Sequence, residues 1–140
     1  MQPDIVWKTD EATVLYRGDT KIVHHEFHCA ARGELFRNVL LAGLEAMKKG
    51  GGAKWLSDDR KNASLLPDDE SWARTVWFPG VAAAGWKFWA IVLPERIAAK
   101  WNMQRHVTHF ASMGIVAKTF GDPDEALAWL EAAGDDNAAD

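Results

Sequence analysis

The sequence contains a single cysteine, Cys29, and this scarcity limits its chemistry. One thiol forms no disulfide within the chain, and it cannot build a zinc or iron–sulfur site that needs several cysteines. Disulfide-free proteins are typical of reducing compartments. The N-terminus also lacks a basic segment followed by an apolar run, the signature of a secretory leader. We therefore expect a cytoplasmic protein.

Long apolar runs and an excess of positive charge are missing as well. No stretch approaches the roughly 18 apolar residues of a membrane-spanning helix, so no membrane span is predicted. The chain has 20 acidic and 16 basic residues, a net charge of -4, which does not favour a nucleic acid as partner. Its 140 residues predict one domain over 1–134 and a disordered acidic tail over 135–140.

Tryptophan, by contrast, is abundant, with eight residues against a single tyrosine. Indole side chains bury large areas and keep one N–H donor. Most of these residues fall within patterned segments, which predicts that they pack in the core. A tryptophan-lined pocket for a small apolar ligand is the alternative.

The first half of the chain predicts a hairpin followed by a helix. Residues 1–12 have little pattern, whereas 12–17 and 21–28 are rich in β-branched and aromatic residues and are joined by a Gly-Asp turn. Apolar residues then recur at three- and four-residue spacing over 31–49, which indicates an amphipathic helix. Two lysines and the glycines of 50–52 end it, so these glycines are a cap and not a phosphate-binding loop.

The second half predicts alternating strands and helices. Strands are expected at 53–57, 86–93 and 115–120, and helices at 69–77, 95–113 and 122–133. Pro79 and Gly80 are expected to interrupt the helix that precedes the second of these strands. The predicted fold class is α/β: an N-terminal hairpin followed by βαβαβα units, with helices packed on a mixed, mostly parallel five-stranded sheet.

This succession resembles the small bacterial proteins of the SpoIIAA-like or STAS/SEC14-type family over about residues 12–133. The segments Trp55–Arg60, Ala84–Pro94 and Phe120–Leu130 carry the resemblance. It implies a regulatory or protein-interaction domain without catalytic residues and without a cofactor.

The anti-sigma factor antagonists of that family are switched by phosphorylation of a serine at the start of the helix after the third strand. The present chain has no Asp-Ser-Ser-Gly motif at that place. Ser57, Ser64 and Ser71 are the serines nearby. The resemblance therefore transfers the fold and an interaction role, and not the phosphorylation site.

The predicted contact surface consists of the loop after the strand at 53–57 and the following helix. Asp58, Asp59 and Arg60 fall at the carboxyl end of that strand, where ligands bind in open α/β sheets. Trp72 and Trp77 are five residues apart and cannot share one face of an α-helix, so one of them is expected at the surface. These five residues are the candidate ligand- or partner-binding residues.

A weak candidate for a metal site lies on the predicted strand at 21–28. The two-residue period places His24, Glu26 and His28 on one face, and two imidazoles with a carboxylate are typical ligands of zinc or iron. A solvated strand face is the simpler interpretation, so no metal is assigned. His106 and His109, on the predicted helix at 95–113, are a further pair that could face a ligand.

Three functions remain open at this point. The first is a non-enzymatic regulatory domain that binds a protein partner or a second copy of itself, so that a homodimer is one possible state. The second is a carrier of a small ligand or lipid. The third is a metal-assisted enzyme that uses His24, Glu26 and His28 or the pair Asp58 and Asp59.

Overall fold

A computed structural model describes residues 3–62, 65–97 and 114–134 of the chain. Its strands are β1 (Asp4–Lys8), β2 (Ala12–Arg17), β3 (Ile22–Phe27), β4 (Lys54–Asp58), β5 (Phe88–Val92) and β6 (Val116–Phe120). Its helices are α1 (Glu34–Gly50), α2 (Pro67–Trp72), a π-helical turn (Ala73–Trp77), α3 (Phe78–Ala83) and α4 (Pro123–Ala132). Most of the predicted helix at 95–113, with His106 and His109, and the predicted tail at 135–140 lie outside the described residues.

The strands form one mixed sheet in the order β1-β2-β3-β4-β5-β6. The first three strands pair antiparallel, and β3 to β6 pair parallel. The α/β class and the mixed sheet are thus confirmed, but the predicted number of strands, five, is wrong. The additional strand is β1, whose pairing with β2 shifts register between Ile5 and Trp7. This irregularity interrupts the two-residue alternation by which a strand is recognised in a sequence.

Helices cover the two faces of the sheet unequally. On one face, called the α1 face here, α1, the π-helical turn and α3 bury a core that includes Phe36, Leu40, Trp77 and Val81. On the opposite face, the α4 face, Ala126 and Leu130 of α4 pack on a smaller cluster that includes Ile22, Leu56, Ala90 and Val92. Since that cluster draws on β3, β4 and β5, the α4 face of β1 and β2 is not covered by α4.

The fold brings α1 unusually close to the sheet at Gly43. A β-carbon at this position would overlap the indole ring of Trp55 on β4, which is fully buried. Only glycine leaves room for this ring beneath the helix, so the packing of α1 depends on one small residue in the middle of an otherwise regular amphipathic helix. The helix ends with the N–H of Gly51 donating to the carbonyl of Met47 at 2.8 Å.

The predicted interruption at Pro79 does not occur. Proline has no N–H, and in an α-helix its ring meets the carbonyl four residues earlier. The preceding π-helical turn changes the spacing of the hydrogen bonds, so that the N–H of Phe78 donates to the carbonyl of Ala73, five residues back. Pro79 then stands in the first turn of α3, where the lack of an N–H is tolerated. The helix therefore continues to Ala83.

Parallel pairing gives the sheet two distinct ends. The carboxyl end is where β3 to β6 finish and where α1, α2 and α4 begin, and the amino end is where these strands start and α1 and α4 finish. Within the described residues, no helix is long and apolar enough to cross a membrane.

Candidate functional site

The carboxyl end of β3 and β4 contains a chain of three hydrogen-bonded side chains. The indole N–H of Trp55 donates to Nδ1 of His25 at 3.0 Å, and Nε2 of His25 lies 2.8 Å from Oδ1 of Asp59. An indole only donates, so Nδ1 accepts and the ring proton is on Nε2, which donates to Asp59. His25 is 2% exposed. Both ring nitrogens are thus hydrogen-bonded, and His25 links the buried indole of Trp55 to the carboxylate of Asp59.

Asp58 points to the opposite face of the sheet from Asp59, because neighbouring residues of a strand alternate. Its carboxylate is buried and receives two bonds from Arg60: Nε to Oδ1 at 2.9 Å and NH2 to Oδ2 at 2.8 Å. This hydrogen bonding raises the pKa of Arg60 above its usual value. The two aspartates predicted to act together therefore have separate partners and do not converge on one ligand.

Two further buried polar side chains tie the loop after β4 to the start of α1. Oδ1 of Asn62 accepts from the N–H of Ala31 at 3.0 Å, and Oδ2 of Asp69 accepts from the N–H of Gly33 at 2.8 Å. Nε of Arg37 lies 3.4 Å from Oδ1 of Asp69. No side chain within α1 caps the N-terminus of this helix. The carboxylate of Asp69, which belongs to α2, acts as the cap instead, because it accepts a hydrogen bond there and places a negative charge at the positive end of the helix dipole.

Of the predicted metal candidates, His24 and Glu26 lie on one face of β3, and Nδ1 of His28, just after the strand, lies 3.6 Å from Oε2 of Glu26. The two histidines also have partners outside this group. Nδ1 of His24 lies 3.3 Å from NH2 of Arg17, and Nε2 of His28 lies 2.9 Å from Oγ1 of Thr13. Among the described residues, no group of three His, Cys, Asp or Glu side chains could hold a metal ion. The structure therefore gives no support to the weak metal candidate.

Burial has a clear electrostatic effect on His24. Desolvation, followed by the positive charge of Arg17, lowers the pKa of His24 to about 4, against the opposing influence of Asp58. Its ring is thus uncharged at neutral pH.

The two tryptophans of the predicted contact surface occupy different environments, and Trp77 is not at the surface. Trp77 is 4% exposed, and its indole N–H donates to the carbonyl of Leu40 at 3.1 Å. Trp72 is half-buried, with its ring 6.3 Å from that of Phe36 and the guanidinium of Arg37 5.5 Å from its centroid. Both rings nevertheless pack on the core of the α1 face, because the π-helical turn between them has bonds that span five residues and brings residues five apart to the same side of the helix.

Four tryptophans form one aromatic cluster in the core of the α1 face. Neighbouring rings meet at centroid distances of 5.1 Å for Trp55 and Trp77, 5.4 Å for Trp77 and Trp86, and 4.9 Å for Trp86 and Trp89. The indole N–H of Trp89 donates to the hydroxyl of Ser57 at 2.8 Å. These rings fill space against one another, as the core interpretation of most tryptophans predicted.

Ser57 is buried, Ser71 is exposed and Ser64 lies outside the described residues.

An exposed apolar patch lies between α1 and the π-helical turn, and the sequence did not reveal it. Leu41 is 39% exposed and Val76 is 52% exposed. Leu41 lies four residues after Arg37 on α1, and Val76 lies four residues after Trp72 in the π-helical turn, so each is about one helical turn beyond the contact between Arg37 and Trp72. We call Leu41, Trp72 and Val76 the helix patch. Leu41 and Val76 are isolated apolar residues on the polar sides of two helices. Neither is part of a periodic pattern, so the sequence gives no indication of the patch.

Comparisons with protein-family models, with curated proteins and with solved structures returned no match for this chain.

Proposed function

We propose that this protein is a non-enzymatic regulatory or protein-interaction domain of the SpoIIAA-like or STAS type, acting in the cytoplasm, and that it binds a protein partner through the helix patch. The observation that carries the proposal is the exposure of Leu41 and Val76, about one helical turn beyond the contact between Arg37 and the half-buried ring of Trp72. The predicted surface is revised accordingly: Trp72 stays in it, whereas the buried Trp77 and Asp58 leave it. Asp59 and Arg60 lie on the neighbouring loop.

The composition of the helix patch supports a protein contact. Aromatic residues and arginine are enriched at the centres of interfaces, where water is excluded by surrounding apolar side chains. Trp72 meets this description, because Arg37 covers its ring and Phe36 supports its edge. Its orientation is set before any partner arrives, which lowers the entropic cost of binding.

The rigidity of the helices beneath the patch supports the same proposal. The helices run side by side, joined by the bond from Trp77 to the carbonyl of Leu40 and by the contact of Gly80 with the side chain of Leu44. A surface presented by packed helices keeps its shape better than one presented by loops. The arrangement suits a binding module that recognises one partner.

The polar residues of the carboxyl end support binding over chemistry as the role of this domain. The carboxylates of Asp58, Asp59 and Asp69 are held by partners within the fold, and His25 is bonded at both ring nitrogens. Ser57 is buried under the indole of Trp89, so the interaction role proposed for this domain does not include phosphorylation of that serine.

The experiment compares partner capture by variants of two exposed surfaces. The variant Leu41→Asp with Val76→Asp places charges in the helix patch, and the variant Ile5→Asp with Val116→Asp makes the same change on the two edge strands, where these residues are 61% and 50% exposed. Each tagged protein is used to capture partners from a lysate of the source organism, and the captured protein is then purified and its affinity measured directly.

We expect the helix-patch variant to bind the purified partner at least about tenfold more weakly than the wild type, because a central apolar contact typically contributes more than about 1 kcal/mol. The edge-strand variant should bind like the wild type. Circular dichroism checks that both remain folded. Equal binding by all three proteins would refute the helix patch as the contact surface.

A further inference from the structure

A row of side chains crosses the α4 face from β1 to β3, over strands of which two are not covered by α4. Ile5, Leu15 and His24 are successive register partners on β1, β2 and β3, so they lie side by side on one face. That face is the α4 face, because His24 is two residues from Ile22 of the cluster on which α4 packs. Ile5 is 61% exposed, and Leu15 is partly exposed. The row is therefore apolar on β1 and β2 and ends in a polar side chain on β3.

His24, at the end of this row, contacts Arg17 of β2. Nδ1 of His24 lies 3.3 Å from NH2 of Arg17. A guanidinium only donates hydrogen bonds, so Nδ1 accepts and the ring proton of His24 is on Nε2. The ring itself is uncharged at neutral pH, since desolvation and then Arg17 lower its pKa to about 4. Together the two side chains thus carry one positive charge, that of Arg17.

Each of these two side chains has a buried donor without an acceptor. Nε2 of His24 and Nε of Arg17 are shielded from solvent and have no hydrogen-bond partner within the described ranges. On the same face, the carboxylates of Asp58 and Glu26 are within ion-pair distance of other side chains. Buried donors are almost always paired in folded proteins. We call Arg17 and His24 the donor pair, and it requires an acceptor that the described part of the chain does not supply.

We propose that the donor pair binds the carboxylate of a small monocarboxylate ligand whose apolar body lies across Leu15 and Ile5. Nε of Arg17 and Nε2 of His24 are each two covalent bonds from the atoms that are in contact, so the two oxygens of one carboxylate can accept from both. Both residues are partly exposed, which leaves the pair open to a ligand from solvent.

The size and charge of the ligand follow from the row and the donor pair. Neighbouring strands are about 4.8 Å apart, so a body that reaches from β3 to β1 is about 10 Å long, as in an acid of about eight carbons. The single positive charge of the pair matches a single negative charge, which favours a monocarboxylate over a dianion such as phosphate.

This site goes beyond the proposed function and lies elsewhere on the molecule. The donor pair is on the α4 face, whereas the helix patch belongs to helices that pack on the α1 face. Loss of ligand binding at the donor pair leaves the helix patch intact, and the reverse is also true. The two proposals therefore fail independently.

The test uses calorimetry and NMR with probes that separate the two parts of the ligand. Octanoate supplies the carboxylate and the apolar body, acetate only the carboxylate, and 1-octanol only the body. We expect octanoate to shift the ring nitrogen resonances of His24 in the wild type. It should bind at least about tenfold more tightly than acetate or 1-octanol, because buried methylene groups and charge-assisted hydrogen bonds both add to the affinity. Inorganic phosphate should bind more weakly than octanoate.

Variants with matched controls assign the contacts. Arg17→Gln and His24→Leu each remove one donor and should weaken octanoate binding at least about tenfold. Arg74→Gln and His28→Leu make the same changes outside the site and should bind octanoate like the wild type. Ile5→Ser should weaken the binding of octanoate and leave that of acetate unchanged. Circular dichroism checks that each variant remains folded.

Four results would each overturn the proposal. Two concern affinity: Arg17→Gln binds octanoate as tightly as the wild type, or 1-octanol binds as tightly as octanoate. The third is that phosphate binds the wild type more tightly than octanoate does. The fourth is that the ring resonances of His24 do not move at about 10 mM octanoate. Since three of the four need only the wild-type protein, a variant that fails to fold does not protect the proposal.

Discussion

The two ends of the sheet use polar residues in opposite ways. At the carboxyl end, buried carboxylates and amides are bonded to His25, Arg60 and the backbone that precedes α1. At the amino end, Lys48 and Lys49 finish α1 beside a loop of glycines, and among the described residues the only ion pair of these two lysines is that of Lys48 with Glu45 at 3.9 Å. Polar side chains thus hold the fold together at one end, whereas the lysines at the other end face solvent. Position at an end of a sheet does not by itself make a polar residue functional.

The difference predicts that substitutions at the carboxyl end cost stability, and the largest loss is expected for His25→Leu. This change leaves the indole N–H of Trp55 and the carboxylate of Asp59 without their partner in a site that is 2% exposed at the histidine. We expect unfolding in urea to show a loss of about 3 kcal/mol. His28→Leu, with the same chemical change at a half-exposed residue, should cost less than about 1 kcal/mol. Similar losses for both variants would show that the hydrogen bonds of His25 with Trp55 and Asp59 do not contribute to stability beyond an ordinary surface contact.

A second loss of stability, of similar size, is expected at acidic pH because His24 titrates differently in the folded and unfolded chains. The pKa of His24 falls from its usual 6.5 to about 4 in the folded chain, chiefly through desolvation. Between these two pH values the unfolded chain binds a proton that the folded chain does not, so stability is complete above about pH 6.5 and is lost as the pH falls toward 4. The loss amounts to at most about 3 kcal/mol.

The variant His24→Gln isolates this contribution, because glutamine does not titrate. Urea unfolding of both proteins at several values between pH 7 and pH 4 should show a flatter decline for the variant. Parallel declines would mean that other groups cause the acid sensitivity.

Asp69→Ala should produce a somewhat smaller loss. It leaves the N–H of Gly33 without an acceptor and Arg37 without its carboxylate at the start of α1. We expect a decrease of about 2 kcal/mol in the free energy of unfolding. Asp69→Asn keeps an acceptor oxygen and should recover about half of it. If alanine and asparagine are equally tolerated, the cap that α2 provides to α1 is unimportant for stability.

The alternation of strands and helices could be predicted from the sequence because each element has its own local pattern of apolar residues. Apolar residues at helical spacing identified α1, and the strand predicted at 86–93 corresponds to β5. Two elements, β1 and the π-helical turn, were not predicted because their local patterns are irregular. The register shift in β1 hides its alternation, and the π-helical turn keeps a helix intact through Pro79.

The partners of the polar residues were less predictable than the elements, and chain separation explains the difference. Arg60 and Asp58 are two residues apart in the chain, and the sequence analysis placed both at the carboxyl end of the same strand. His25 and Asp59 are separated by 34 positions, and Asp69 and Gly33 by 36. Such bonds depend on how β3, β4 and α2 meet in space, which no spacing within the chain encodes. His25 was accordingly passed over, since its neighbours His24 and Glu26 share the other face of the strand.

The smallest effect on stability is expected at the amino end. Lys48→Ala with Lys49→Ala removes two exposed charges whose single carboxylate partner lies 3.9 Å away. Surface ion pairs of this kind contribute little, and the loss of favourable charges at the end of α1 is offset in part by the higher helix propensity of alanine. We expect a change below about 0.5 kcal/mol in urea unfolding. A loss as large as that of Asp69→Ala would contradict the contrast between the ends, because the lysines would then be part of the scaffold.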